Sequence, residues 1–419
     1  MLHIKKIIDI ILLGDDMKKV IFIIMALLII ALGIFGYLYL NYDPYEIPDD
    51  VTIKLNDNNF EVYDKHTSYE LIESINADII SKDIELVSDK LGEYNYTLEY
   101  RYKKRNYKYD ITYQVKDTTK PIFISAPRTL TMEASDTKEV CEKIVYADIY
   151  DSIPNCKING SYDKTKVGTY NNLEYIISDT SGNEEKKTFT LNIVNKIYTS
   201  NNYTTPNYLY IDDIIRKYKT DKTSIGIDVS KWQGNVDFKK VKDAGIEFVI
   251  MRIGSQRNPS DTLDIDSRFK EYYKAVREAG LKLGVYVYNT SISPEDGIKT
   301  AKWVVNELNG DKLDFPIAYD WEDWSEFMDF KISLHTLSES YKAFESEVKK
   351  NGYEAMLYSS KYYLENVWTN YEDSKIWLAH YTDKTDYKGE YMMWQMTSLA
   401  KVNGITENTV DIDILYKEK

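Results

Sequence analysis

The sequence predicts a multidomain chain: an N-terminal membrane-spanning helix, two all-β sandwich modules and a C-terminal irregular β/α barrel. Three observations carry this. Residues 20–40 form an unbroken apolar run without a charge. Residues 51–194 read as short strands of alternating polarity separated by turn residues. From residue 224 onward, apolar β-type runs alternate with amphipathic helical stretches.

The bulk properties bound the function. A chain of 419 residues with 43% hydrophobic content accommodates several globular domains. A net charge of −14 leaves no cationic surplus for neutralising phosphates, which argues against nucleic-acid binding. The 38 tyrosines, with abundant Lys, Asn and Ile, fit an A/T-rich coding bias and do not by themselves indicate a ligand.

The 20–40 run has the length of a bilayer span. Lys18 and Lys19 precede it, Lys5 and Lys6 lie upstream, and Asp43, Glu46, Asp49 and Asp50 follow. By the positive-inside rule residues 1–19 stay cytoplasmic and the remainder is exported at the cell surface. The run is long for a signal-peptide core, and Tyr37-Leu38-Tyr39-Leu40 is no small-residue cleavage site, so an uncleaved anchor in the lipid bilayer is expected. Met17-Lys18-Lys19 is an alternative translation start. On the exported side Cys141 and Cys156 can pair as a disulfide or remain two buried thiols. Their spacing matches no zinc motif and His3, His66, His335 and His380 are scattered, so neither a metal site nor a cofactor is expected.

Within the β-rich region, Leu91-Gly92-Glu93-Tyr94-Asn95-Tyr96-Thr97-Leu98-Glu99-Tyr100 is echoed by Val167-Gly168-Thr169-Tyr170-Asn171-Asn172-Leu173-Glu174-Tyr175. The interval is that of a small β-sandwich, giving modules over 41–117 and 118–195. The second has Asp117-Thr118-Thr119-Lys120-Pro121 at its start and Ser178-Asp179-Thr180-Ser181-Gly182-Asn183 near its end. That set resembles the bacterial immunoglobulin-like modules of Gram-positive surface proteins, which implies a spacer or adhesive role. The first copy lacks the Asp-Thr-Ser-Gly-Asn turn. Residues 196–223, rich in Asn, Thr and Tyr, read as a linker with a short helix at Ile211–Tyr218.

Over 224–419, strand-like runs fall at 225–230, 248–253, 282–289, 315–322, 355–360, 375–381, 392–397 and 410–416. Helical stretches at 269–279, 294–308 and 336–351 lie between the earlier ones, and Gly280 and Gly352 act as stop signals. Eight strands alternating with helices argue for a TIM-like barrel. The last three connections are too short or too polar for a good helix, so about five helices and a helix-poor final third are expected. Residues 316–323 end one of these runs in Asp320-Trp321-Glu322. Side chains alternate across a strand, which puts both carboxylates on one side, an arrangement that suits glycoside hydrolysis.

The whole segment 224–416 resembles glycoside hydrolase family 25, the N-acetylmuramidases or lysozymes of bacteria and phages. The resemblance is carried, in order, by Gly226-Ile227-Asp228-Val229-Ser230-Lys231-Trp232-Gln233-Gly234, by residues 241–250, by Ala279-Gly280-Leu281-Lys282-Leu283-Gly284-Val285-Tyr286 and by 316–322. It continues through Gly352-Tyr353, Leu357-Tyr358-Ser359-Ser360, Ile376-Trp377-Leu378-Ala379-His380-Tyr381, Trp394-Gln395 and Val410-Asp411-Ile412-Asp413.

The resemblance implies a hydrolase of peptidoglycan glycan strands, cleaving β-1,4 bonds between N-acetylmuramic acid and N-acetylglucosamine. Glu322 would be the general acid, Asp320 would stabilise or position the sugar, and Asp228 and Asp411 would complete the acidic floor. Asp411 reaches the catalytic rim if the last strand returns antiparallel; otherwise it caps a turn, with Asp413 a solvated neighbour. Tyr286 and Trp394 are the first candidates for sugar contact, followed by Tyr358, Gln395 and Tyr381, since aromatic rings at strand ends serve either stacking or packing. Two departures touch the rim: Val287 stands where the family often has His, and Arg252-Ile253-Gly254-Ser255 replaces a Gly-Tyr-rich turn. The alternative is a non-catalytic wall-binding or scaffold protein built on a decayed hydrolase barrel; the four acids argue against it. A chitinase-type barrel is disfavoured because its Asp-x-x-Asp-x-Asp-x-Glu signature is absent.

Overall fold

The computed structural model describes residues 15–40, 42–198 and 206–417. It divides into two compact units, 1–117 and 118–419; the expected cytoplasmic residues 1–14 and linker residues 199–205 lie outside the described residues.

In the first unit, helix Asp15–Leu40 contains a 21-residue apolar stretch, Met17–Tyr37, of mean hydropathy 2.9 with none of it buried by protein. That is long and apolar enough to cross a membrane. The β-rich part is built on a hairpin, Gly92–Tyr102 with Arg105–Lys116. Asp78–Ile79 adds antiparallel to its first strand and Asn59–Glu61 adds parallel to its second. Leu71, Leu98, Tyr100, Ile111 and Tyr113 are buried on folding.

In the second unit, Gly168–Ser178 and Glu184–Val194 form the same kind of hairpin. Asn155–Asn159 adds antiparallel to the first strand and Thr129–Glu133 parallel to the second. The two glycine-led sequence echoes thus occupy the same place in the same four-strand order. Ile122–Ser125 pairs with Val145–Ala147 in a second small sheet. Cys141 and Cys156 are joined, with Cα atoms 5.9 Å apart.

The barrel strands are labelled β1 (Thr223–Val229), β2 (Phe248–Ser255), β3 (Lys282–Tyr288), β4 (Ile317–Asp320), β5 (Ala355–Ser360), β6 (Lys375–Ala379), β7 (Met393–Lys401) and β8 (Val410–Tyr416). β1 to β7 run parallel in sequence order, and β8 closes the barrel antiparallel to both β7 and β1. The helices are α1 (Phe238–Asp243), α2 (Phe269–Ala279), α3 (Pro294–Leu308), α4 (Leu334–Lys350) and α5 (Lys361–Asn366), with one further turn at Phe327–Phe330. α3 starts at Ser293, whose side chain accepts from the Asp296 amide, with Pro294 in the first turn. After β5 only the six-residue α5 remains, and no described helix follows β6 or β7.

Residues 209–223 are not a free linker. Leu209–Tyr210 pairs with Ala400 and Lys401 of β7, and helix Ile211–Tyr218 buries Ile211 and Ile214 in the barrel's outer core. The amphipathic pattern of that helix needs an apolar partner, which the barrel wall provides.

Alternation along each strand sorts the side chains into two layers. Ile225, Ile227, Ile317, Tyr319, Leu357, Leu378, Ile412 and Ile414 face the helices. Phe248, Ile250, Ala318, Met356, Trp377 and Met393 plug the barrel interior. The second β-module is packed on the barrel: Ile124 and Ala147 join its outer core, and the Tyr362 hydroxyl donates to the Phe123 carbonyl at 2.6 Å.

Candidate active site

Above the apolar plug, the inward positions at the strand C-terminal ends carry acids. Asp228 ends the inward row of β1, and Asp320 ends that of β4. Trp321 between Asp320 and Glu322 points the other way: it is fully buried, donates from Nε1 to the Ser291 carbonyl at 3.1 Å, and meets Trp324 edge-on at 4.6 Å between ring centres. That outward anchor fixes the strand end, so Asp320 and Glu322 both face inward. Glu322 stands open to water in a cleft of 490 Å³ that it shares with Tyr358, Ser360, Tyr362, His380 and Tyr381.

The antiparallel return of β8 places Asp411 directly opposite Asp228. A parallel strand would have put it at the far end of the barrel. Two residues on, Asp413 also points inward, opposite Gly226 on one side and Gln395 on the other. It is fully buried, unlike the solvated neighbour that the turn-capping alternative for Asp411 requires. Its Oδ1 accepts from Trp377 Nε1 at 2.8 Å, while Oδ2 has no hydrogen-bond partner. Gly226 serves this layer: a Cβ there would lie 2.2 Å from the Phe248 ring.

Burial dominates the electrostatics. It drives the Asp228 carboxyl well above the usual carboxylate range, and Asp411 and Asp413 push in the same direction. Asp413 is raised by burial and then by Asp411. Asp320 is raised by burial and by Glu322, with the Arg252 guanidinium opposing. Asp411 is pushed up to about 7, by burial first. Glu322 is raised by the protein around it and by Asp323, although one side of it is open to solvent. Clustered acids at this depth cannot all ionise, so the site holds protons at neutral pH.

Arg252, which replaces part of the glycine-rich turn, points into this site from β2. It binds Asp266 through Nε at 2.8 Å and Nη2 at 2.6 Å, and the Asp266 side chain is 1% exposed. Sequence reading recorded Arg252 only as a departure at the rim. Tyr288, between the acids and the rim, donates to Asp323 Oδ1 at 2.8 Å.

The aromatic and amide candidates separate. Tyr286 lies on the inward row of β3, where Asp228, Asp320 and Asp411 all act on its hydroxyl. Tyr381 lines the cleft and is 57% exposed. Tyr358 also lines the cleft, but is mostly buried and donates to Gln395 Oε1 at 2.8 Å. Gln395 does not present itself to a ligand: Oε1 also accepts from Tyr381 at 3.0 Å, and Nε2 donates to Asp228 Oδ2 at 2.8 Å. It orients Asp228. Trp394 does not reach the cleft; it is 2% exposed, packs in the outer core and donates to the His380 carbonyl at 2.8 Å. Alternation decides this, because Gln395 takes the inward position and Trp394 must face out.

Residues 227–405 match the family model described as Glycosyl hydrolases family 25. Among curated proteins, the autolytic lysozyme of Clostridium acetobutylicum is 28% identical over 190 residues, 45% of this chain and 54% of that protein. The "Uncharacterized protein YegX" of Escherichia coli O157:H7 is 27% identical over 197 residues, 45% of this chain and 68% of that protein. The chain therefore spans about half the length of the first relative. Among solved structures, the modular autolysin LytC of Streptococcus pneumoniae, in complex with a synthetic peptidoglycan ligand, has 22% identity and a TM-score of 0.42, covering 58% of this chain and 56% of that one. A family 25 glycosyl hydrolase of Bacillus anthracis has 17% identity and a TM-score of 0.41, covering 48% of this chain and 94% of that one. The matched segment takes in the end of β1 with Asp228 and the whole of β4, so residues 227–405 form a domain of glycoside hydrolase type similar to glycosyl hydrolases family 25.

Proposed function

We propose that the chain is a surface-anchored peptidoglycan hydrolase of N-acetylmuramidase type, held at the membrane by residues 20–40 with its other domains outside. The observation that carries this reading is the row of inward acids, Asp228, Asp320, Glu322 and Asp411, converging on one rim of the family 25 domain. The lysozyme among its relatives supports the substrate class.

Glu322 is the general acid. Burial and Asp323 raise its proton affinity, which favours the acid form, and it faces the open cleft where a leaving glycosidic oxygen can be reached. Asp320, whose proton affinity burial raises and the Arg252 guanidinium lowers, stabilises or positions the reacting sugar. Asp228, oriented by Gln395, and Asp411 complete the floor. Tyr286 and Tyr381 contact sugar. The two β-modules act as immunoglobulin-like spacers between bilayer and wall.

Glu322→Gln tests the assignment. The variant keeps its fold and loses at least about a hundredfold of its rate on purified cell walls, the scale of a general acid's contribution. Products of the unaltered protein carry N-acetylmuramic acid at the new reducing end. An unchanged rate in the variant sinks the acid role, and an N-acetylglucosamine reducing end points to another glycosidase.

A further inference from the structure

The Ser178-Asp179-Thr180-Ser181-Gly182-Asn183 turn of the second module has no part in the chemistry above, yet it buries a carboxylate. Asp179 is 6% exposed, and Asp148, which follows strand Val145–Ala147, is 1% exposed. A carboxylate oxygen of one lies within 4.8 Å of an oxygen of the other. Two buried like charges repel, and neither forms an ion pair among the described residues.

Hydrogen bonds hold both acids in place without neutralising them. Asp148 Oδ1 accepts the amides of Tyr150 and Asp151, each at 2.8 Å. Asp179 accepts from Asn183, from its amide at 2.8 Å and its Nδ2 at 2.7 Å. Asp148 Oδ2 is buried with no hydrogen-bond partner. An ionised oxygen in that position needs a cation or a proton. Asp151 adds a third acid close by, and it is already occupied by Thr180, whose hydroxyl donates to it at 2.9 Å.

We propose that Asp148 and Asp179 bind a calcium ion that braces the joint between the second β-module and the barrel. Buried carboxylates this close match a divalent cation, and main-chain and water oxygens complete the shell. Donors drawn from loops suit calcium's flexible coordination better than magnesium's strict octahedron. The loop so held is structural: the Asp148 carbonyl accepts the Leu334 amide at 2.8 Å and the Ile149 carbonyl accepts the His335 amide at 3.3 Å, both from the first turn of α4. The ion therefore fixes the peptide segment on which that helix start is seated.

The test is calorimetry on the full-length chain in detergent, with EDTA, calcium or magnesium. Calcium is expected to bind with a dissociation constant of about 0.1–1 mM, the range of extracellular modules, and to raise the unfolding temperature by several degrees at saturation. Asp148→Asn and Asp179→Asn are each expected to abolish that rise. In EDTA both variants should unfold at a higher temperature than the parent, since a repelling charge has gone, which separates loss of the site from loss of the fold. A parent indifferent to calcium overturns the proposal, as does either variant retaining the full response. An equal response to magnesium at the same concentration overturns the assignment to calcium.

Discussion

Replacing Asp411 by Asn should stabilise the barrel above neutral pH while lowering its activity. Burial raises the Asp411 carboxyl from the model-compound 3.8 to about 7. At about 1.4 kcal/mol per tenfold in proton affinity, that displacement corresponds to about 4 kcal/mol. The sign follows from linkage. Between pH 4 and pH 7 the folded state holds a proton that the unfolded state has released, so stability falls as pH rises through this window. The contribution is intact below about pH 4 and fully lost above about pH 7 to 8. Asn cannot ionise and escapes the loss. It also relieves Asp228 and Asp413, whose carboxyls Asp411 pushes upward. The variant should therefore exceed the parent by up to about 4 kcal/mol at pH 8 and match it near pH 4. All seven tryptophans lie at or beyond Trp232, so denaturant unfolding followed by tryptophan fluorescence reports on the barrel alone. A stability difference that does not change between pH 4 and pH 8 would refute the buried-acid reasoning.

Two other substitutions probe the shell beneath the acids. Gly226→Ala forces a methyl to within 2.2 Å of the Phe248 ring and should cost about 1–3 kcal/mol, read by the same fluorescence assay. Arg252→Met leaves Asp266 buried without the guanidinium whose Nε and Nη2 both donate to its Oδ2, and should cost about 3–5 kcal/mol. Adding Asp266→Asn to Arg252→Met should recover part of that loss; no recovery would mean the damage is packing rather than charge.

Period-two alternation is a local property of extended backbone, so the same-side placement of Asp320 and Glu322 was legible from residues 316–323 alone. The repeat of β-modules was legible too, because both glycine-led strands keep the same local pattern although the turns that follow them differ. Helix stops at Gly280 and Gly352 were marked by residues whose preferences are intrinsic to the backbone.

Alternation does not say which of two rows faces inward, and that is where sequence reading failed. Trp394 and Gln395 are both candidates for sugar contact until β7 is placed; only one parity can face the barrel axis, so Gln395 turns inward onto Asp228 and Trp394 packs outward. Asp413 is a solvated neighbour only in the turn-capping alternative for Asp411, since a charged residue beside a turn usually is. Closure of β8 against β1 and β7 buries it over the Trp377 N–H. Arg252 and Asp266 pair across a loop that no short motif links. The sequence by itself determined the kinds of element, their order and the acids available. Tertiary closure decided which acids lose their water and must share protons, because burial depends on what the other strands bring to the same axis.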